Sequence, residues 1–291
     1  MERISDVLRG IYRTTRVSDE PVAHCQFCGR PLYMVQLELK GAKGWIAVGE
    51  PYVEECDCEE AQRIRKEDDK KRLLKAIAEQ KRTKIQYLLK KSGLGKRFQE
   101  RTFAKWDKSL GPLAKVAYDK AWHYAKNWWD NYKAGRGLYI HGPYGTGKTH
   151  LAAAIVNYVI QTYEVPVLFG TLTVLFQHMK DAIVMGDSYR LEKERETLYT
   201  VDLLVIDDLG KERPTDWVVE ELFNLINYRY EHMKPIIITS NYNPDELKQR
   251  YNKASRDYGE KDIGSAIISR LKEMCDTLPL FGEDYRKGGG E

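Results

Sequence analysis

The sequence predicts an α/β fold built on a five-stranded parallel sheet, and three observations support this. Strand-length apolar runs alternate with helical patterns from Leu138 onward, which is typical of βαβ units with right-handed crossovers. A glycine-rich turn over Gly142–Thr149 joins the first strand to a helix rich in alanine and branched apolar residues. The run Leu203–Ile206 is wholly apolar, as expected of a strand buried on both faces of a sheet. The predicted strands are Leu138–His141, Val165–Phe169, Leu203–Asp207, Pro235–Ser240 and Thr277–Phe281.

The glycine-rich turn has the pattern G-x-x-x-x-G-K-T of a phosphate-binding P-loop. Placed between a strand and a helix N-terminus, such a turn directs backbone N–H groups at a polyphosphate. Lys148 is expected to place its charge on the β- and γ-phosphates of ATP, and the Thr149 hydroxyl to bind Mg²⁺. The predicted nucleotide-binding residues are Gly142, Pro143, Tyr144, Gly145, Thr146, Gly147, Lys148 and Thr149.

Two aspartates end the third predicted strand. In an open parallel sheet, ligands bind beyond the carboxyl ends of the strands, which is where these side chains are expected. We expect Asp207 to help hold Mg²⁺, and Asp208 to orient and deprotonate the attacking water. An acidic turn would explain the pair in isolation, but the P-loop upstream favours the metal and water roles.

Two further polar residues are candidates for the same chemistry. Asn241 follows the fourth predicted strand, where its amide could bind the attacking water or the γ-phosphate. An Asx turn explains Asn241 equally well, because Asn243 and Pro244 come directly after it. Arg270 lies on a predicted helix over Ile263–Met274, and it is either an arginine finger for a neighbouring subunit or an ordinary solvated helix charge.

The segments GPYGTGKT, LLVIDDLG, IIITSN and ISRL occur in the order and at the spacing of AAA+ ATPases. Within that class, the chain resembles the replicative helicase loaders of the DnaC/DnaI type, with the IstB transposition helpers as close relatives. The resemblance covers about residues 98–286. It implies that Lys148 and Thr149 bind nucleotide and Mg²⁺, that Asp207 and Asp208 are the acidic pair, that Asn241 is a sensor, and that Arg270 is an arginine finger.

The chain departs from the wider AAA+ pattern in two respects. Many AAA+ enzymes have glutamate where this chain has Asp208, and the shorter side chain predicts slow, partner-stimulated hydrolysis. The chain also ends soon after the fifth predicted strand, so a full C-terminal helical lid is not expected. Together these departures favour a molecular switch over a processive motor.

Cysteine pairs near the N-terminus predict a zinc ribbon. Cys25 and Cys28 form a C-x-x-C knuckle, and Cys56 and Cys58 provide a second pair. Two predicted strands around a Gly41–Gly44 turn separate the pairs, so a hairpin would bring four thiolates to one tetrahedral Zn²⁺. The second pair is unusual because only one residue separates its cysteines, and His24 is an alternative ligand. Disulfide or redox use is the rival interpretation and fits an intracellular ATPase less well.

Charge is concentrated in one segment of the chain. Between Gln62 and Arg97 there are fourteen basic and four acidic residues, a local net charge of +10 in a chain whose total is +4. A long charged helix is predicted there, and it is either a solvated linker or an arm that docks on a partner or on nucleic acid. The predicted organisation is a zinc-ribbon-like module over 1–60, a basic helical linker over 61–97, an AAA+ domain over 98–286 and a flexible tail over 287–291.

Two regions are weaker candidates for binding single-stranded DNA. An aromatic-rich helix over Leu113–Tyr132 could stack on bases, although core packing is favoured. In helicase loaders and initiators, the region corresponding to Thr171–Thr200 carries extra helices that face the central channel. Its candidate DNA contacts are Lys180, Arg190, Lys193 and Arg195.

We therefore expect a cytoplasmic, Mg²⁺-dependent ATPase that loads the replicative DNA helicase and binds single-stranded DNA. We expect no membrane partner, and we expect the protein to form homo-oligomers when ATP is bound. No run is apolar over the 18 or so residues of a membrane span, and Glu2, Arg3 and Asp6 do not fit a signal peptide. Two alternatives stay open. One is an IstB-like helper that directs a transposase to target DNA, and the other is a binding module that holds ATP without hydrolysing it.

Overall fold

The computed structural model describes residues 11–107, 111–255 and 262–282. Contacts between these residues divide the chain into two compact units, with the boundary between Gln80 and Lys81. The first unit holds the cysteine pairs and the second holds the P-loop. No helix in the described ranges is long and apolar enough to span a membrane.

The first unit is built on a three-stranded antiparallel sheet in the order β1-β4-β5, with β1 at Tyr12–Arg16, β4 at Met34–Gly41 and β5 at Gly44–Val53. A short pair, β2 (Ala23–His24) and β3 (Pro31–Leu32), flanks the first two cysteines. The hairpin of β4 and β5 turns between Gly41 and Gly44, as the sequence predicts. β1 was not predicted, because its sequence YRTTR has no apolar alternation.

A long helix, α1 at Glu59–Lys91, follows the last cysteine pair. The boundary between the two units falls inside this helix, whereas composition placed domain boundaries near its ends. The difference arises because the last turns of α1 belong to the packed core of the second unit. Leu88 and Leu94 are buried there, and Ile85 and Leu89 pack beside them.

The second unit is a five-stranded sheet in the order β10-β6-β9-β8-β7, and every adjacent pair is parallel. This confirms the predicted α/β fold. The strand bounds are Gly137–His141 for β6, Val167–Thr171 for β7, Leu203–Leu209 for β8, Ile236–Ser240 for β9 and Cys275–Pro279 for β10. Each lies within two residues of its predicted bounds. The order places β9 between the P-loop strand β6 and the aspartate strand β8.

Helices cover both faces of this sheet, each over its own apolar core. They are α2 (Lys96–Gln99), α3 (Pro112–Lys126), α4 (Trp128–Lys133), α5 (Lys148–Tyr163), α6 (Leu172–Met185), α7 (Ser188–Thr200), α8 (Asp216–Glu231), α9 (Pro244–Ser255) and α10 (Ile263–Met274).

The aromatic-rich segment predicted as one helix over Leu113–Tyr132 is divided into α3 and α4 at Asn127. The Asn127 side chain donates a hydrogen bond to the carbonyl oxygen of His123 and caps the end of α3. Tyr124 and Trp128 are buried in the core, while Trp129 is about half exposed at 49%. Most of this aromatic surface therefore packs the core, as the sequence favoured.

Candidate functional site

The P-loop is shaped by glycines that no other residue could replace without strain. Gly147 has φ +93°, and a Cβ there would lie 2.9 Å from the Trp106 ring. A Cβ on Gly142 would lie 1.9 Å from the carbonyl oxygen of Leu280, just beyond β10. The loop is therefore held between the Trp106 indole and the chain that follows the neighbouring strand. Helix α5 begins at Lys148, so its first N–H groups face the loop.

Lys148 lies inside this loop and is only 5% exposed. Its Nζ donates hydrogen bonds to the carbonyl oxygens of Gly142, at 2.8 Å, and Pro143, at 2.6 Å. The Thr146 hydroxyl also donates to the Pro143 carbonyl, at 3.0 Å. A buried ammonium at a helix N-terminus makes a strongly positive pocket, which suits phosphate oxygens.

Asp207 joins the P-loop helix to the neighbouring strand. Its Oδ1 accepts hydrogen bonds from the Thr149 hydroxyl, at 2.9 Å, and from the Thr239 hydroxyl, at 2.6 Å. Burial raises the pKa of Asp207 above its ordinary value, although the Thr239 hydroxyl acts against this shift. A carboxylate and a hydroxyl at this separation form a set of hard oxygen donors that fits Mg²⁺.

Asp208 is held in an unusual backbone conformation. Its φ is +55°, and its N–H donates to the Thr239 hydroxyl at 2.8 Å. The carboxylate is 22% exposed and is bonded at Oδ2 by the ammonium of Lys211, at 2.6 Å. A non-glycine residue in the left-handed region costs about 1–3 kcal/mol, and such residues cluster at functional sites.

Two asparagines follow β9, and their side-chain oxygens differ in hydrogen bonding. Asn243 makes the Asx turn, since its Oδ1 accepts from the backbone N–H groups of Asp245 and Glu246, both at 3.0 Å. Asn241 takes no part in that cap. Its Oδ1 is buried, and no described residue donates a hydrogen bond to it. An orphaned buried oxygen between the P-loop strand and the aspartate strand is placed to accept from a ligand or water.

Arg270 is not brought to the P-loop of its own chain by any contact among the described residues. It lies on α10, and its Nε donates to Asn227 Oδ1 on α8 at 2.7 Å. Its guanidinium lies over the rings of Phe223, at 5.1 Å, and Tyr230, at 5.9 Å. Arg270 therefore belongs to a separate surface formed by α8 and α10.

The four predicted cysteines converge in the first unit, with all sulfur atoms within 4.8 Å of one another. The Cys25 and Cys58 sulfurs are 3.8 Å apart, and those of Cys28 and Cys56 are 3.5 Å apart. Zn–S bonds of about 2.3 Å give a tetrahedron with edges of about 3.8 Å, so the spacing fits a Zn²⁺ ion. His24 is exposed and lies outside this cluster.

The electrostatics of the cluster favour at least one thiolate. Backbone N–H groups of Cys28 and Phe27 lower the pKa of Cys25 to about 6. Because the thiolate is the metal-binding form, this lowered pKa reduces the cost of binding a cation near neutral pH.

Sequence reasoning missed Thr239 and Lys211. Thr239 bridges the two aspartates, and its signal was a hydroxyl directly after the apolar run Ile236–Ile238 of β9. Lys211 follows Asp208 by three residues, and nothing in its sequence context marked it.

One candidate DNA contact is already engaged within the protein. Arg195 forms two hydrogen bonds to the buried carboxylate of Glu221, at 3.0 and 3.1 Å, and Tyr199 donates to the same carboxylate at 2.7 Å. The structure therefore ties Arg195 to the α7–α8 packing. Lys180 lies over the Trp217 ring at 5.3 Å, while Lys193 is exposed on α7.

The chain matches a known protein family and is similar in sequence to two bacterial proteins. A family model described as IstB-like ATP binding protein matches residues 129–289. The replicative helicase loader DnaI of Bacillus subtilis is 28% identical over 153 residues, which is 52% of this chain and 48% of DnaI. The uncharacterised protein YqaM of the same organism is 32% identical over 203 residues, covering 67% of this chain and 59% of YqaM. The chain thus spans about half the length of these relatives.

A solved structure supports the same relationship. The crystal structure of the DnaC helicase loader superposes with a TM-score of 0.52 and 28% identity, covering 64% of this chain and all of that one. The fold of the second unit is therefore that of the AAA+ domains of DnaC-type proteins.

Proposed function

The chain belongs to the family of IstB-like ATP-binding proteins, and from that premise we propose that it is an ATP-hydrolysing AAA+ switch that loads the replicative helicase. The main support for ATPase activity is the 2.9 Å hydrogen bond from the Thr149 hydroxyl to Asp207 Oδ1, beside a buried P-loop lysine. The replication role is supported by the similarity to proteins described as helicase loaders.

In this proposal, Lys148 and the first N–H groups of α5 bind the β- and γ-phosphates. Thr149 and Asp207 would hold Mg²⁺, which would neutralise charge on the phosphates. Asp208 orients a water molecule and takes its proton as the oxygen attacks the γ-phosphorus. The bond to the β-phosphate then breaks, which yields ADP and phosphate. Asn241 offers its unpaired Oδ1 to the attacking water.

Arg270 completes the site from a neighbouring subunit. It lies on the α8–α10 surface and is held by Asn227 and two aromatic rings. A guanidinium held in this way keeps its charge available to a γ-phosphate bound by another copy of the chain. ATP binding would therefore favour a homo-oligomer, and hydrolysis would weaken it.

The first unit is proposed to bind Zn²⁺ through Cys25, Cys28, Cys56 and Cys58 and to contact the helicase. The Zn²⁺ ion would serve a structural role, because these four cysteines would fill its tetrahedral coordination and leave no position open to a substrate.

ATP turnover tests the enzymatic part of this proposal. We expect wild-type turnover to be slow and to rise with single-stranded DNA or helicase, while Lys148→Ala and Arg270→Ala are both inactive alone. Mixing these two variants should restore part of the activity, since each would supply what the other lacks. Full activity of Arg270→Ala alone would remove the finger role. Tight ATP binding with no turnover under any condition would favour the non-hydrolysing alternative.

Partner choice tests the replication part. The chain is co-expressed with the replicative helicase of its own host and, separately, with an IS21-type transposase. We expect an ATP-dependent complex with the helicase hexamer and faster helicase assembly on closed circular single-stranded DNA. A complex with the transposase alone would support the transposition-helper alternative instead.

A further inference from the structure

The ion pair between Lys211 and Asp208 is the shortest link between the aspartate pair and the loop that follows it. Lys211 Nζ lies 2.6 Å from Asp208 Oδ2. The carboxylate is largely enclosed at 22% exposure, whereas the lysine is 46% exposed. The exposed partner can therefore move into solvent while the carboxylate stays in place.

Lys211 also reaches the P-loop. Its ammonium lies 5.2 Å from the ring centre of Tyr144, which is itself exposed in the nucleotide-binding turn. This contact is within the range of a cation–π interaction. The same charge thus contacts both the candidate catalytic carboxylate and the loop that holds phosphate.

The backbone around Asp208 limits other ways of pairing it. Its left-handed φ and the hydrogen bond from its N–H to Thr239 hold the residue in one orientation. Glu212 anchors the same turn, because its carboxylate accepts from the Gly210 N–H at 2.9 Å and from the Tyr251 hydroxyl at 2.7 Å. These hydrogen bonds hold the turn in place, whereas the exposed Lys211 side chain has room to rotate away from Asp208.

From this geometry we propose that Lys211 is a brake on hydrolysis. The Lys211 ammonium occupies Asp208 Oδ2, so this oxygen is not available to orient a water molecule. Asp208 acts only when Lys211 leaves it. This inference rests on the proposed function, in which Asp208 activates the attacking water.

The brake is expected to be modest. Exposed ion pairs contribute little because solvent screens them, and this pair is only partly enclosed. Releasing it should therefore raise turnover by roughly two- to fivefold. We also expect a dependence on ionic strength, because a solvent-exposed ion pair is weaker at high salt.

The test compares wild type with Lys211→Met, which keeps an unbranched side chain one atom shorter and removes the charge. Turnover is measured at saturating ATP and Mg²⁺ across a series of salt concentrations. We expect Lys211→Met to be faster than wild type at low salt, and the ratio of the two rates to approach one as salt rises. Lys211→Arg should behave like wild type, because it retains the charge.

Lys84→Met is the matched control. Lys84 pairs with Glu164 at 2.7 Å in an ion pair of similar exposure, with no contact to either aspartate of the site among the described residues. It should leave turnover and its salt dependence unchanged. Equal or slower turnover in Lys211→Met, with wild type active, overturns the brake while the ATPase proposal survives. Binding of ATP without turnover in either protein overturns hydrolysis, and the brake with it.

Discussion

At the scale of single residues, Gly147 shows how closely the P-loop depends on a side chain 41 positions away. Gly147 adopts a left-handed φ, and the Trp106 ring occupies the space where a Cβ would lie. Trp106 also meets the His150 ring edge-on at 5.2 Å, so it packs on both sides of the start of α5. The loop conformation is thus supported by a residue outside the motif.

We predict that Gly147→Ala weakens ATP binding and lowers the free energy of unfolding by about 1–3 kcal/mol. The added methyl group brings both backbone strain and a clash with Trp106. Titration with a fluorescent ATP analogue and chemical denaturation measure the two effects. Gly186→Ala is the control, because Gly186 has φ +67° with no atom within 4 Å of an added Cβ. Equal losses in both variants would show that the Trp106 contact contributes nothing.

Asp207 illustrates a conflict between stability and function. Its pKa is raised by burial, so the folded state binds its proton more tightly than the unfolded state does. Its contribution to stability therefore falls as pH rises through the window between the ordinary pKa and the raised one, and it stays low above that window.

We accordingly predict that Asp207→Asn melts at a higher temperature than wild type near pH 8, without Mg²⁺ or nucleotide. This advantage should shrink as the pH is lowered toward 5. Turnover should fall by about 100-fold or more, because the metal-holding carboxylate is lost. Thermal melts across this pH range and ATPase assays measure both effects. Equal melting temperatures of Asp207→Asn and wild type at pH 8 would mean that the hydrogen bonds from the Thr149 and Thr239 hydroxyls offset the whole cost of burying the Asp207 carboxylate.

At the scale of secondary structure elements, the buried Arg229 connects α7 to the sheet. Its guanidinium donates to the carbonyl oxygens of Tyr199, Val201 and Pro235, at 2.9, 3.1 and 2.7 Å. Burial lowers its pKa to about 9, so it remains charged at neutral pH. A cation at a helix C-terminus also complements the helix dipole. Arg229 therefore fixes the end of α7, the helix that carries the candidate DNA contact Lys193.

We predict that Arg229→Met lowers the free energy of unfolding by about 3 kcal/mol or more, because several buried carbonyls lose a charged donor. Arg229→Lys should not restore stability, since one ammonium cannot reach all the carbonyl oxygens that surround the planar guanidinium of Arg229. Urea denaturation measures the loss, and hydrogen exchange should show faster opening of α7. Lys193→Met, exposed on the same helix, is the control and should change stability by less than about 0.5 kcal/mol.

At the scale of the whole molecule, the two units have very different cores. The second unit has two large apolar cores on the faces of its sheet. Among the described residues around the cysteines, the buried apolar cluster of the first unit consists of Cys25, Cys56 and Ala61, with Leu32 and Cys58 partly buried beside it. So small a cluster supplies little stability without a cross-link.

We therefore predict that the protein binds about one Zn²⁺ per chain and that removing it unfolds the first unit alone. Cys28→Ser or a strong chelator should abolish hydrogen-exchange protection in β4 and β5, while the sheet from β6 to β10 stays protected. Metal analysis and ATP-analogue binding complete the test. Retained protection of β4 and β5 in metal-free protein would show that the antiparallel sheet is stable without the ion.

Much of the second unit was predictable because its signals are local. The helix over Ile263–Met274 has the predicted bounds, and the strands agree within two residues. Long-range packing decides the features that the sequence did not predict. β1 forms because β4 offers an edge and Glu38 pairs with Arg13, and the last turns of α1 join the second core through contacts with distant residues.

The fold class, the P-loop and the positions of the aspartates and cysteines could be predicted, because each is encoded by residue spacing along a short stretch of chain. Three features emerge only from the folded chain: Thr239 bridges the aspartates, Asn243 rather than Asn241 caps α9, and Lys211 covers Asp208. These facts depend on which atoms meet once β8 and β9 lie side by side, and on side-chain directions that spacing alone does not specify.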